Sequence, residues 1–274
     1  SQNDIYTSVV KGYLLPKTVD ENTLVVVTSV SGNTQESLTV LENAKNSKAK
    51  FIAFSSGGII KEYALKNKID YQEIKMEHSP RASFVRYIFS MLNVLESVIP
   101  VKKSDVIDAI SKMETMRENI FSNNLNENNM ALGLAKWITQ TPVLYHPLGL
   151  QSAAIRFKNS LQENSKLHVI TEDIIEACHN GIVSWERTSG MQPILIQGHD
   201  DHFKTIERWK ILKEFFNSKQ IEYKEISSVE GNIISKIVNL IYLLDYASIY
   251  HSVISGIDPS PVSAIDFIKE HLSK

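Results

Sequence analysis

Along the chain, short apolar runs rich in Val and Ile alternate with longer stretches whose apolar residues recur at helical spacing, the pattern of a parallel α/β protein. In the first half this predicts strands over Thr23–Ser29, Ala49–Phe54 and Ile69–Lys75, and helices over Thr34–Ala44, Gly58–Lys66 and Ser83–Ser97. The runs Val25-Val-Val-Thr-Ser29 and Phe51-Ile-Ala-Phe-Ser55 carry no charge, as expected of strands covered on both faces. The second half repeats the plan. Strands are predicted over Pro142–His146, Lys166–Ile170, Pro193–Gly198 and Ile221–Ser227, with helices over Gln151–Glu163, Glu172–Ala177, Asp201–Ser218 and Asn232–Tyr250. A final helix, Val262–Leu272, is introduced by the turn Asp258-Pro-Ser-Pro261.

Between the halves, Ser104–Ile120 has helical spacing and Ser122–Asn129 is a polar run. The organisation this predicts is an N-terminal lobe over 1–100, a connecting helix and solvated link over 101–126, and a C-terminal lobe over 127–274. One internal echo points to duplication: Ile69-Asp-Tyr-Gln-Glu-Ile74 and Ile221-Glu-Tyr-Lys-Glu-Ile226 agree at four of six positions, at an offset of 152 residues. Subtracting 152 from Pro142, where the second sheet opens, gives position −10. The first lobe is therefore expected to lack its opening strand, either because the fold is trimmed or because the chain starts late.

Composition narrows the function classes. With 29 Lys+Arg against 31 Asp+Glu, a nucleic-acid binder working by bulk basicity is excluded. The lone Cys178 excludes an internal disulfide framework and a Cys-built zinc site, and fits a reducing compartment. No charged-then-apolar leader opens the chain and no uninterrupted apolar run reaches membrane-spanning length, so the expectation is a cytoplasmic protein without membrane or nucleic-acid partners.

The segment Thr28-Ser-Val-Ser-Gly-Asn-Thr-Gln-Glu-Ser37 joins a buried strand to a helix, whose N-terminus presents unpaired N–H groups and the positive end of its dipole. Ser29, Ser31 and Thr34 add hydroxyls, and Gly32 lets the backbone approach an anion closely, a set suited to a phosphate monoester. It is neither a Walker loop nor a dinucleotide fingerprint. Helix capping by Ser31 or Asn33 accounts for one such residue, not for three hydroxyls in six positions. A second strand-to-helix turn, Ser55-Ser-Gly-Gly58, has the same placement, either closing over the ligand or using its glycines only to turn. Arg81 sits at a helix start, where a cation opposes the dipole, so it reads either as a ligand group or as an ordinary surface residue. Glu163 and His179, near helix ends, are usable as a base and a ring-oxygen acid, though each alone is weak. His199-Asp-Asp-His202 invites a metal reading, but helix capping explains its acids and no third ligand is nominated; no metal site is predicted.

Ser29-Val-Ser-Gly-Asn-Thr34 after an apolar strand resembles the phosphate loop of sugar isomerase (SIS) domains. The segments Ala154–Lys166, Cys178–Glu186 and Gly256–Val262, with Ile265–Lys269, resemble those of the bifunctional phosphoglucose/phosphomannose isomerases. The similarity runs from about Tyr13 to the C-terminus. The resemblance implies two SIS-type lobes, each a flavodoxin-like three-layer sandwich. It also implies interconversion of glucose 6-phosphate or mannose 6-phosphate with fructose 6-phosphate through a cis-enediol, without a metal or organic cofactor. Carried over by position, Ser29, Ser31 and Thr34 would hold the phosphate, with Gly32, Gly57 and Ser260 lining the pocket. Glu163 would move the proton between C1 and C2, and Arg81 would stabilise the enediolate. The partner subunit's His179, with Lys269, would open and close the sugar ring, so the resemblance implies a homodimer whose site is completed across its interface.

Three features depart from the family pattern. The glycine- and serine-rich loop after the first strand is missing, Gly181 stands where Glu is usual, and Ser260 where Thr is common, a change that bears on telling the two epimers apart. Two other readings stay open: a phosphosugar-binding regulator without turnover, and an SIS enzyme for another phosphosugar.

Overall fold

The computed structural model describes residues 5–43 and 47–272. The chain divides into two compact units, Ser1–Val101 and Lys102–Lys274. In the first, β1 (Leu24–Ser29), α1 (Gln35–Asn43), β2 (Lys50–Ser55), α2 (Gly58–Lys66) and β3 (Asp70–Glu73) alternate, followed by a 3-10 turn over Arg81–Ser83 and α3 (Phe84–Val94). The last residue of the first predicted helix, Ala44, lies outside the described residues. The sheet has the order β1-β2-β3, all parallel, with Leu24 opposite Lys50 and Ile52 opposite Asp70.

Both crossovers step in the same direction, and right-handed connection then puts α1 and α2 on one face. Adjacent residues of β2 show the consequence, because side chains alternate across a strand. Ala53 packs with Val27, Val40, Leu41, Ile60 and Ala64 under α1 and α2. Phe54 points the other way, to Ile74, Tyr87 and Leu95, where α3 lies. Full burial of a side chain such as Phe54 contributes roughly 1.5–3 kcal/mol relative to exposure.

The second unit comprises α4 (Lys103–Ile120), α5 (Met130–Trp137), β4 (Thr141–His146), α6 (Gln151–Ser165), β5 (Ile170–Asp173), α7 (Ile174–Ala177), β6 (Met191–Gln197), α8 (Phe203–Ser218), β7 (Lys224–Ser227), α9 (Ile233–Ile254) and α10 (Ser263–Leu272). Its strands, all parallel, are ordered β5-β4-β6-β7. Here the chain steps first one way and then the other, so α6 and α8 cover opposite faces. Val143, Tyr145 and Leu195 meet Trp209, Leu212 and Phe216 on the α8 side. The intervening Leu144, Ile194 and Ile196 are buried as well. α9 packs against α4, α5 and α6. By length and composition α9 could cross a membrane, with a mean hydropathy of 1.3. Its residues Val238, Leu240, Ile241, Leu243, Leu244 and Ala247 are buried, as in the core helix of a folded unit.

The internal echo is structural. Lys68 and Gln220, 152 residues apart, both take left-handed φ values, 56° and 57°. Each follows a helix whose exit is closed by the same bond, Ile69 N to Ala64 O and Ile221 N to Phe216 O, both 2.9 Å. The first sheet has three strands among the described residues and the second has four, the shortfall that the offset predicts.

Several predicted boundaries differ. The strand expected over Lys166–Ile170 lies at Ile170–Asp173, because Lys166, at φ 54°, still caps α6. The acidic Glu172 and Asp173 belong to this strand and its end, not to a helix. The polar run does not end as a solvated link: Asn129 is fully buried, caps the unpredicted helix α5 through Leu132 N, and donates to Ile120 O and Asn124 O. The predicted connecting helix, α4, packs on α9 within the second unit.

Candidate active site

In the first unit the loops after β1 and β2 are locked to each other. Ser29 is buried, with its hydroxyl 2.6 Å from Thr34 Oγ1 and accepting from Gly32 N at 3.2 Å. Ser31 Oγ accepts from Asn33 N. Ser56 N donates to Val30 O and Ile60 N to Gly32 O, each at 3.0 Å. Gly32 has φ +72°, and a Cβ there would lie 1.8 Å from Gly57 O, so no other residue fits without parting the loops. Gly57, at φ +137°, brings no side chain to the start of α2. Asn33 caps it instead, its Oδ1 accepting from Ile59 N at 3.1 Å. Asn33, one of two candidate caps for α1 by sequence, caps the neighbouring helix instead. The first bond of α1 runs from Leu38 N to Thr34 O, so the N–H groups of Gln35, Glu36 and Ser37 precede the helical ladder and form an anion-attracting terminus.

Arg81 opens the 3-10 turn after β3, at the same carboxyl edge of the sheet as the two loops. The turn is pinned by buried Ser83, whose Oγ accepts from Glu77 N and donates to Ser79 O. Tyr87 ties this segment to the first loop, its hydroxyl donating to Val30 O at 3.2 Å or to Ile74 O at 3.0 Å. Burial, with a smaller push from Tyr71, raises this phenol to about 12, so it remains a neutral donor.

In the second unit, Glu163 sits in the last turn of α6, which is zipped to α9 by polar pairs. Arg156 and Ser160 both bind the Asp245 carboxylate. Asn164 donates to Ser248 Oγ and Ser165 to Ser248 O. Lys166 Nζ then bridges Glu163 O at 2.5 Å and Pro261 O at 2.8 Å, bringing the Ser260 turn beside the end of α6. The exposed Lys269 lies on α10, directly after that turn.

His179 is exposed and lies elsewhere in this unit. Because β4 and β5 are parallel, α6 must end at the edge where β5 begins, whereas His179 follows the far end of β5. A four-residue strand alone spans about 13 Å. The His179 turn is held by its own N–H to Glu176 O and by Asn180 Nδ2 to Glu176 Oε1. Trp185 Nε1 donates to Tyr145 Oη at 2.7 Å beneath it. Burial pushes the Tyr145 phenol to about 12, the Trp185 bond opposing and the Glu172 charge adding to the shift.

At His199–His202 three of the four side chains are already engaged. Asp201 accepts from Gly198 N and Trp209 Nε1, His202 Nδ1 from Lys204 N, and Asp200 pairs with Lys236. Among the described residues no group of three or more His, Cys, Asp or Glu is arranged to hold a metal ion.

The family described as bacterial phospho-glucose isomerase C-terminal SIS domain matches residues 127–272. A bifunctional phosphoglucose/phosphomannose isomerase of Caldicellulosiruptor bescii is 31% identical over 275 residues, covering 96% of this chain and 80% of that protein. The chain belongs to the bifunctional phosphoglucose/phosphomannose isomerase family. A D-glucosamine-6-phosphate 4-epimerase of Sulfolobus acidocaldarius is 29% identical over 184 residues, 65% of this chain and 56% of that protein. The fold is shared with a glucose-6-phosphate isomerase like protein from Thermus thermophilus, with a TM-score of 0.63 at 13% identity over 95% of this chain and 91% of that one.

Against that family pattern, Gly181 has a local explanation. A Cβ at 181 would lie 2.3 Å from Glu172 Oε2, so the Glu172 carboxylate fills the space that a side chain at 181 would enter. That oxygen is buried and makes no hydrogen bond among the described residues. Four contributors escaped the sequence reading: Tyr87, Lys166, Glu172 and the cross-loop role of Asn33. Tyr87 reads as one more apolar position of an amphipathic helix, and Glu172 as a helix-starting acid. Lys166 and Asn33 carry a signal only as members of isomerase-like segments, Ala154–Lys166 and Ser29–Thr34.

Proposed function

We propose that this protein is an aldose–ketose isomerase that interconverts glucose 6-phosphate and mannose 6-phosphate with fructose 6-phosphate. The observation that carries this reading is the Ser29–Thr34 loop, where hydroxyls and helix N–H groups stand at a carboxyl sheet edge in a chain of this family. Such a loop anchors a dianion far from the reacting carbons, and that binding energy serves to orient them.

With the phosphate held there, the Glu163 carboxylate takes the proton from C2 of the open-chain aldose and returns it to C1. The electron pair left on carbon forms the enediolate, whose oxygen charge Arg81 stabilises. Gly32 and Gly57 shape the phosphate loop of the first unit, and Ser260 is assigned to the sugar. Ring opening needs an acid at the ring oxygen and a base at the C1 hydroxyl, steps assigned together to the partner subunit's His179, as the acid, and to Lys269. The placement of Glu163 and His179 at opposite edges of one sheet supports a homodimer, since a second copy is the source of an imidazole at the first copy's carboxylate. We place the enzyme in the cytoplasm, on the reducing character that a single Cys implies.

The test is a coupled assay on the purified chain supplied with fructose 6-phosphate. Glucose 6-phosphate and mannose 6-phosphate are both expected as products, and glucosamine 6-phosphate is expected to yield no epimer. Ligand-dependent thermal stabilisation without turnover would instead identify a phosphosugar-binding regulator.

A further inference from the structure

Lys166 combines features that ordinary helix capping does not need. It is a non-glycine residue in the left-handed region, φ 54°, at the end of α6. A glycine or asparagine would take this position with less strain. Its exposed side chain folds back to Glu163 O and reaches across to Pro261 O, 95 residues on. Glu163 O is one of the orphan carbonyls of the last helical turn, where a cation also opposes the negative end of the dipole.

The other end of the bridge is also built. α9 closes through Ile257 N to Ser252 O at 2.8 Å, with Gly256 at φ +66°, which sends the chain into the turn. Within it Asp258 Oδ1 accepts from Ser260 N at 2.8 Å. That carboxyl is held below the usual range by its bonds from Ser260, with a further contribution from the Lys166 charge. One amine therefore joins the backbone of Glu163 to the turn that carries Ser260, and an ammonium donates to both carbonyls as a charge-assisted bridge.

We propose that Lys166 is a positioning residue that fixes the proton-transferring carboxylate against the Ser260 turn and so sets how evenly the two C2 epimers are turned over. This rests on the isomerase reading above. The amine is assigned no contact with substrate. It acts by setting the distance between the group that moves the proton and the wall that faces the epimeric hydroxyl.

The experiment compares the wild-type chain with Lys166→Met, which keeps the stem and loses the donors, and with Lys166→Arg, which keeps them. Steady-state constants are measured for glucose 6-phosphate and mannose 6-phosphate, beside hydrogen exchange of the 256–262 amides. Misplacing a reacting group by about 1 Å costs on the order of 10²-fold in rate. For Lys166→Met we expect kcat to fall about tenfold or more, KM to stay within about twofold, and the ratio of kcat/KM for the two epimers to shift at least severalfold. Exchange at 256–262 should quicken, and Lys166→Arg should restore most of each property. A Lys166→Met chain with the wild-type epimer ratio, or one losing both activities in equal proportion as its Tm falls, overturns the proposal. Unchanged exchange overturns the bridge whatever the activity. Faster exchange in a protein whose wild type turns over neither sugar would count against the isomerase reading, and the specificity role would fall with it while the bridge stands.

Discussion

Glu163→Gln is expected to abolish measurable turnover while fructose 6-phosphate still binds. A positioned base contributes roughly 10²–10⁴-fold, and an amide cannot accept the C2 proton, so at least that factor should be lost from kcat. The substitution keeps the side-chain volume. Bonds made by Asn164, Ser165 and Lys166, the last to the Glu163 carbonyl, help hold the end of α6, and the substitution leaves these unchanged. The phosphate anchor proposed above lies in the first unit, so the ligand should raise the Tm of variant and wild type alike, by an amount that grows with ligand concentration. Isothermal binding and the coupled assay, run on one preparation, check both halves. Full activity in Glu163→Gln would show that the base is another residue.

The second large effect concerns His179. Its exposure and its position at the sheet edge remote from Glu163 make a specific demand of the quaternary structure. His179→Ala alone should lose a factor of roughly 10²–10⁴ in ring opening. Mixed with Glu163→Gln under conditions that exchange subunits, it should regain activity. In a symmetric dimer half of the mixed pairs are heterodimers, each with one intact site, so recovery should approach roughly a quarter of the wild-type rate. Recovery separates a shared site from a self-contained one, because two inactive chains with self-contained sites stay inactive in any proportion.

The parallel α/β plan was legible because β1 and β2 are mostly apolar runs without helical period, although β1, at the sheet edge, leaves Val26 and Thr28 exposed instead of covered as expected. The edge strand β5 was less so. β5 is the polar Ile-Thr-Glu-Asp, half-buried, and its neighbour Val169 drew the expected strand several residues early. Helix α5 was missed because its N-cap, Asn129, ends a run of asparagines that looks like solvated linker. Its burial depends on α9, more than a hundred residues away in the chain. In the site, Ser29, Ser31, Gly32 and Thr34 announced themselves through spacing. The features that hold them do not: a Cβ at Gly32 is barred by Gly57 O, and Asn33 caps the next helix, both consequences of two loops meeting side by side. Ser29 also has a structural task, since its hydroxyl already binds Thr34 and Gly32 N within the loop. Lys166 and Glu172 act through tertiary neighbours, Pro261 and Gly181, that local pattern does not reveal.

The central claim, that a carboxylate shuttles a proton between C1 and C2, is tested most directly by running the reaction in heavy water. Glucose 6-phosphate formed from fructose 6-phosphate is isolated and the hydrogen at C2 is read by NMR. Deuterium at C2 in a measurable share of the product is expected, because a carboxylate holding the abstracted proton exchanges it with solvent before returning it. Product carrying only protium at C2 would indicate direct transfer between the carbons, and absence of product would indicate no isomerase; either result contradicts the account.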